Sequence, residues 1–158
     1  SGDGDCTAIG GNHLIHAARR NIDLTLVVFN NSIYGMTGGQ MAPTSLVGQV
    51  TQTSPYGRNA ETAGIPIRVS EMLATLDGAA YIERVAVNNP ANMAKAKAAI
   101  KKAFKMQLEG KGFTMVEVLS TCPTNWGLSA IDAVKWMEAN MMPYYPLGVF
   151  KTPEEVAK

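Results

Sequence analysis

Ser1-Gly2-Asp3-Gly4-Asp5 and, after 25 residues between Gly4 and Asn30, Asn30-Asn31 at the end of Leu24-Thr25-Leu26-Val27-Val28-Phe29 are the two strings whose reading decides the fold. The second is a short apolar run, β-branched at Thr25, Val27 and Val28, which predicts a strand buried on both faces. Between them, residues 8–20 read as a helix. Ile9, His13, Ile15, His16 and Ala17 lie near one face, Arg19 and Arg20 suit the negative C-terminal end, and Asn21 is placed to cap it. A glycine-rich turn, a helix and a buried strand make half of an α/β crossover. Such a turn normally leaves the end of a strand. The chain is therefore expected to come from a longer subunit with at least one strand upstream.

Residues 24–57 contain no charged side chain, although Gly, Thr, Ser, Gln and Asn fill most of the stretch. A solvated loop of this length would carry charge, and long structureless loops are rare unless they are functional. The expectation is backbone and amide groups packed against a cofactor or a partner subunit. Interspersed Ile33, Tyr34, Met36, Met41, Leu46 and Val47 weigh against a plain linker.

Further on, Pro66 predicts a helix over residues 66–76, stopped at Gly78. Residues 79–87 alternate as a strand, with Tyr81, Glu83 and Val85 opposite Ile82, Arg84 and Ala86. Asn89-Pro90 supplies an N-cap and a first-turn proline for a helix to about Glu109. Ala96, Ile100, Ala103, Phe104 and Leu108 form its expected core stripe, with Lys95, Lys101, Lys102 and Lys105 on the solvated side. Residues 113–119 are the next strand, so residues 79–119 form a βαβ unit, expected to be right-handed. A loop over residues 120–128 precedes a last helix opened by Ser129, with Asp132 placed as in a capping box. Thr152-Pro153-Glu154-Glu155 repeats that start signal. Met72, Trp136 and Met137 read as core or interface residues. The sum is an α/β layered domain on a mainly parallel sheet.

Composition narrows the function classes. The chain has 158 residues, 46% hydrophobic and 17% charged, with a net charge of +1, the profile of one globular domain. Near-neutral charge leaves no footprint for nucleic acid or an anionic membrane. The longest wholly apolar run, Leu26-Val27-Val28-Phe29, is far short of a bilayer span. No secretory pattern opens the sequence, and two cysteines, Cys6 and Cys122, make no disulfide framework. Both points favour a reducing, cytoplasmic setting.

The chemistry lies in Gly2-Asp3-Gly4 and Asn30-Asn31. Glycines let backbone N–H groups approach phosphate oxygens, and the helix start that follows adds a favourable field. Mg²⁺ takes hard oxygen ligands in octahedral geometry, which a carboxylate and an amide oxygen supply beside phosphate oxygens. The crossover brings both strings to the carboxyl edge of neighbouring strands, where ligands sit in such sheets. A lone Gly-Asp-Gly is an ordinary turn. With Asn30-Asn31 at this distance behind a buried strand, it reads as a metal–diphosphate site.

That pair of strings resembles the thiamine-diphosphate signature of decarboxylases, acetolactate synthases and oxoacid oxidoreductases. Tyr34-Gly35-Met36-Thr37-Gly38-Gly39-Gln40, Ser54-Pro55-Tyr56-Gly57, Ser120-Thr121-Cys122-Pro123-Thr124-Asn125-Trp126 and Pro143-Tyr144-Tyr145-Pro146-Leu147-Gly148 look like the β subunit of 2-oxoacid:ferredoxin oxidoreductases. The resemblance covers essentially the whole chain. It implies a three-layer thiamine-diphosphate-binding fold over residues 1–158, with residues from about 120 as a C-terminal extension. By the same resemblance Asp3, the Asn31 side chain and the Ile33 carbonyl hold Mg²⁺. Gly2, Asp3, Gly4, Asp5, Asn31, Ile33, Tyr34, Thr37, Gly38 and Gln40 contact the cofactor.

Cys122 has two readings. A lone cysteine is usually a small buried hydrophobe. The resemblance instead makes it the last of four thiolate ligands to a [4Fe–4S] cluster, the other three coming from upstream sequence. Cys6 has no such motif and reads as a packed helix-start residue. His13 and His16, three residues apart, find no further ligands and read as partly buried, hydrogen-bonded histidines. Glu61 and Glu71 have no motif. In the family the glutamate that activates the cofactor comes from another subunit, so no catalytic residue is assigned here.

The implied reaction is oxidative decarboxylation of a 2-oxoacid to an acyl-coenzyme A, with ferredoxin as acceptor and alpha and other subunits as partners. Met36 stands where pyruvate-using relatives carry Asn, which points to 2-oxoglutarate or a branched-chain 2-oxoacid such as 2-oxoisovalerate. A non-redox thiamine-diphosphate enzyme of the decarboxylase or acetolactate-synthase type is the alternative. A scaffold domain without cofactor is a further one.

Overall fold

In the computed structural model, which describes residues 1–153, the helical backbone begins earlier than the sequence predicts. A π-turn, Asp5–Ile9, runs straight out of the glycine-rich start. The Gly10 N–H closes it by donating to the Asp5 carbonyl at 2.6 Å. Helix α1, Gly11–Arg19, follows. The wide turn carries one residue more than an α-turn, which rotates everything after it by about 100°. The buried stripe is therefore Cys6, Leu14 and Ala18 with half-buried Ala17, while Ile9 is 84% exposed. His13 and His16 are exposed as well, not partly buried as expected. Asn21 ends the helix with a left-handed φ of 50°, a conformation asparagine tolerates. Its side chain reaches across the fold, accepting from the Phe113 N–H at 2.8 Å and donating to the Lys111 carbonyl.

Strand β1, Thr25–Asn30, is less buried than its composition predicts. Val28 and Asn30 are buried, but Phe29 is 53% exposed because it opens onto the cavity described below. On the outer side of β1, Ser1 and Gly2 lie parallel to its end. The Phe29 N–H donates to the Ser1 carbonyl, and the Ser1 amino group to the Val27 carbonyl, both at 2.9 Å.

A short helix α2, Ala60–Ala63, is capped by the Asn59 side chain. Helix α3, Val69–Ala74, starts three residues later than Pro66 suggests. Pro66 and Ile67 are used elsewhere: the Pro66 carbonyl accepts from Tyr144, and the Ile67 N–H donates to the Pro43 carbonyl. Strand β2, Tyr81–Ala86, leads into α4, Pro90–Leu108, whose N-cap is Asn89 as predicted, and then into β3, Thr114–Leu119. Helices α5, Pro123–Trp126, and α6, Ala130–Trp136, follow, the latter capped by Ser129 accepting from the Asp132 N–H. A second π-turn, Met137–Met141, the short α7, Met142–Tyr144, and strand β4, Gly148–Lys151, complete the described residues. Strand β4 is not foreseen in the sequence. The start signal at Thr152-Pro153-Glu154-Glu155 lies partly outside the described residues.

The sheet order is β1-β3-β2-β4, with β1, β3 and β2 parallel and β4 antiparallel to β2. Helices cover both faces. On one, Leu14, Ala18, Val69 and Leu73 pack on Val28, Ile82 and Met115. On the other, Ala96, Ala99 and Ala103 of α4 pack on Tyr81, Val85, Val116 and Val118. The alternation in β2 assigns the two faces correctly. The core stripe of α4 differs from expectation: Phe104 is half exposed and Leu108 is 89% exposed. Three alanines bring the α4 backbone close to the sheet, and that close approach leaves the bulkier side chains on the shoulder of the helix. Lys95, Lys101, Lys102 and Lys105 are exposed as expected. A third cluster, with Leu46, Leu119, Met137, Met141 and Tyr145, closes the carboxyl end of the sheet. Among the described residues no helix is long and apolar enough to cross a membrane.

The uncharged stretch packs largely on its own chain. Arg58, just beyond its end, donates to the carbonyls of Ala42, Pro43, Ser45, Ala63 and Gly64, so one buried cation ties the middle of the stretch to the end of α2. Val47, Val50, Met36 and Tyr56 nevertheless face outward.

Candidate functional site

Past the carboxyl ends of β1 and β3 lies a cavity of about 440 Å³. Gly2, Asp3, Gly4, Asp5, Phe29, Asn31, Ile33, Tyr34, Gly35, Met36, Thr37, Cys122, Thr124 and Asn125 line it. The two strings that decided the fold thus meet on one wall. The two asparagines separate. Asn30 is fully buried, its amide donating to Glu117 at 2.7 Å and its oxygen accepting from the Ser32 N–H at 3.0 Å. Asn31 lines the cavity, and its side-chain oxygen accepts from the Ile33 N–H.

Ser32, between Asn31 and Ile33, has a left-handed φ of 62°, uncommon for a non-glycine residue. Such strain persists only where its surroundings over-determine it. Here the Ser32 hydroxyl donates to the Thr44 carbonyl at 2.8 Å. The Ser32 carbonyl accepts from Ser45 at 2.6 Å and Gln49 at 3.0 Å.

Asp3 is 2% exposed and accepts a hydrogen bond from the Thr44 hydroxyl. Burial pushes its carboxyl up to about 6, against the pull of Thr44 and of backbone groups at Asn31 and Gly4. An anion held in that state without a cation beside it is costly, and a hard cation would remove the cost. Asp3 and Asn31 offer the oxygen chemistry that Mg²⁺ takes.

Tyr34 covers the same wall. Its phenol donates to the Gly4 carbonyl at 3.0 Å, and its ring lies so close that a Cβ on Gly4 would sit 2.4 Å from it. Only glycine fits there. Thr37 lines the cavity and is locked to Gln40 by two hydrogen bonds of 2.5 and 2.8 Å. Gly38 and Gln40 stand behind Thr37 rather than on the wall.

Cys122 is half-buried at the cavity beside Gly35, with Asn125 donating to its sulfur at 3.1 Å and to the Gly35 carbonyl at 2.9 Å. Asn125 thereby ties the loop at residues 34–40 to α5. A Cβ on Gly39 would fall 2.9 Å from the Asn125 amide oxygen. Cys6 sits in the core, its thiol pushed up to about 12 by burial, with the Asp3 and Glu117 charges adding to the effect. Among the described residues no three His, Cys, Asp or Glu side chains converge on one point.

Phe29, Thr44, Thr124 and Asn125 were not singled out from sequence. Thr124 and Asn125 stand in the string around Cys122, a signal that was available. Thr44 had none, since only the folded loop brings it to Asp3.

A buried carboxylate and an amide meet at the carboxyl edge of the parallel sheet, the place where α/β domains of this class bind their ligands. Residues 1–118 match the family described as "Thiamine pyrophosphate enzyme, C-terminal TPP binding domain", and the chain belongs to that family. It is 45% identical over 150 residues to the ketoisovalerate oxidoreductase subunit VorA of Methanothermobacter marburgensis, covering 95% of this chain and 31% of that protein. It is 48% identical over 139 residues to the 2-oxoglutarate synthase subunit KorB of Archaeoglobus fulgidus, covering 88% of this chain and 48% of that one. A solved 2-oxoglutarate:ferredoxin oxidoreductase from Magnetococcus marinus, with 2-oxoglutarate, coenzyme A and succinyl-CoA bound, superposes with a TM-score of 0.70 at 29% identity. That match covers 96% of this chain and 54% of the solved one. The chain thus spans about a third to a half of these relatives.

Proposed function

We propose that this chain is the thiamine-diphosphate-binding part of a ferredoxin-dependent 2-oxoacid oxidoreductase. The observation that carries the reading is the Asp3 carboxylate, 2% exposed and raised to about 6, beside Asn31 in the cavity. Asp3, the Asn31 side chain and the Ile33 carbonyl would hold Mg²⁺, and the backbone at Gly2, Gly4 and Asp5 would meet the diphosphate. Tyr34, against Gly4, and Thr37, with Gly38 and Gln40 behind it, would shape the rest of the cofactor space. Bound thiamine diphosphate supplies the carbanion chemistry that decarboxylates a 2-oxoacid. The chain's own part is to bind and orient.

Cys122, on the same cavity, would give one thiolate to a [4Fe–4S] cluster whose other ligands lie outside these residues. That placement favours the redox reading over a decarboxylase or acetolactate synthase, which has no use for the thiol. Residues from about 120 serve as an extension that brings Cys122 to the cavity. Alpha and other subunits, ferredoxin and coenzyme A complete the reaction, in the cytoplasm. Relatives named for both 2-oxoglutarate and ketoisovalerate support either 2-oxoacid as substrate. Met36, fully exposed at the rim of the cavity, would be the side chain that meets this substrate.

The test is thermal unfolding of the protein with and without Mg²⁺ and thiamine diphosphate. At ligand about a hundredfold above its Kd, roughly 2.7 kcal/mol of stabilisation is expected. Asp3→Ala should abolish it. A wild-type midpoint unmoved by saturating ligand would contradict the proposal.

A further inference from the structure

The site's geometry leads back to a buried charge that touches none of the cavity. Glu117, on the central strand β3, is fully buried and accepts from three donors. Asn30 reaches one carboxylate oxygen at 2.7 Å, and Ser70 and the Arg84 Nε reach the other at 2.5 and 2.8 Å. Arg84, itself fully buried, places its remaining nitrogens on Glu71 and on the Pro146 carbonyl. Burying such a pair costs desolvation that an apolar core would avoid.

We propose that Glu117 is a positioning residue for the metal–diphosphate site, acting through the orientation of the Asn30 amide. The inference rests on the site reading given above. A carboxylate only accepts hydrogen bonds, whereas an amide presents a donor end and an acceptor end. Glu117 therefore takes the NH₂ end of Asn30 and leaves its oxygen directed at the Ser32 N–H. That bond closes the turn in which Ser32 adopts its left-handed φ. The same turn aims Asn31 and Ile33 into the cavity. With the amide reversed, an NH₂ group would confront the Ser32 N–H, and the turn would lose the bond at its start. Arg84, paired through its Nε with the other oxygen, holds the carboxylate in place, so that the oxygen bonded to Asn30 has one direction to face.

The test is Mg²⁺ binding by calorimetry in the presence of thiamine diphosphate, with Mn²⁺ paramagnetic resonance as a second readout. It uses the full chain in its native assembly. Asn30→Ala and Glu117→Gln should each weaken metal affinity by about tenfold or more, and the double variant should be little worse than either single one. A glutamine has one acceptor oxygen for Asn30 and Arg84 to share. Ser70→Ala removes a hydrogen bond from Glu117 without touching Asn30. It should lower the melting midpoint yet leave affinity within about twofold, which separates positioning from plain stability. Should Glu117→Gln not accumulate folded, Asn30→Ala against Ser70→Ala decides the matter. Wild-type binding with Asn30→Ala folded and unchanged in affinity overturns the positioning role alone. No uptake by the wild type overturns the site reading beneath it.

Discussion

The Tyr145 phenol donates a 2.6 Å hydrogen bond to the Thr44 carbonyl across 101 residues of sequence. The Thr44 hydroxyl in turn donates to Asp3. The end of the described chain thus steadies the carboxylate at its beginning. Tyr145→Phe keeps the ring in its cluster and removes only the hydroxyl. Loss of this buried bond should cost about 1–2 kcal/mol, measured by urea unfolding, and should weaken Mg²⁺ binding. An unchanged midpoint with unchanged affinity would show that Thr44 holds Asp3 without help.

Gly4→Ala should be poorly tolerated, because the added methyl group would meet the Tyr34 ring at 2.4 Å. Overpacking of this kind costs about 1–3 kcal/mol. Thermal unfolding of Gly4→Ala, compared with Gly4→Ala/Tyr34→Ala, checks the cause. The second change should recover part of the loss.

Asp3 makes the unliganded protein pH-sensitive. Its carboxyl is raised from 3.8 to about 6, so the fold favours the protonated form. The contribution of Asp3 to the stability of the metal-free protein should be greatest below the ordinary aspartate value, fall as pH rises from there to about 6, and level off above it. Asp3→Asn should remove that slope and stabilise the metal-free protein at pH 8 by on the order of 1–3 kcal/mol. It should also eliminate the response to Mg²⁺. Stability gained and binding lost together would mark a residue kept for its ligand.

Arg84 lies between Glu117 and Glu71, with ion pairs of 2.8 and 2.5 Å. Arg84→Met leaves Glu117 buried without its cation and should cost about 3–5 kcal/mol. Burial alone would raise the Glu71 carboxyl, but the hydrogen bonds and charge of Arg84 outweigh it and hold that carboxyl below the usual glutamate range. Its contribution is therefore present above the ordinary glutamate value and lost as pH falls below it. Arg84→Met should flatten that acid limb in a pH series of melting midpoints.

Much of the fold was legible in local signals. Asn89-Pro90 and Ser129 mark helix starts because capping is decided by neighbouring residues, and the alternation in β2 assigns its faces. The phase of α1 was not legible, since the π-turn at Asp5–Ile9 shifts it and has no periodic signature. The start of α3 and the existence of β4 depend on partners distant in sequence. At the site, Asp3 and Asn31 announce themselves through spacing, whereas Thr44, Asn125 and Glu117 act through contacts that only folding creates. Asn30, next to Asn31, carries no mark in sequence of its separate and wholly internal role.

The central claim is that Asp3 and Asn31 grip a divalent ion on thiamine diphosphate. The most direct measurement is a crystal structure of the protein saturated with thiamine diphosphate and Mn²⁺ in place of Mg²⁺, with the metal located by its anomalous signal. A single metal peak within about 2.0–2.3 Å of the Asp3 carboxylate and the Asn31 amide oxygen is the predicted result. A fully occupied metal peak elsewhere, with Asp3 still bonded only to Thr44, would contradict the account.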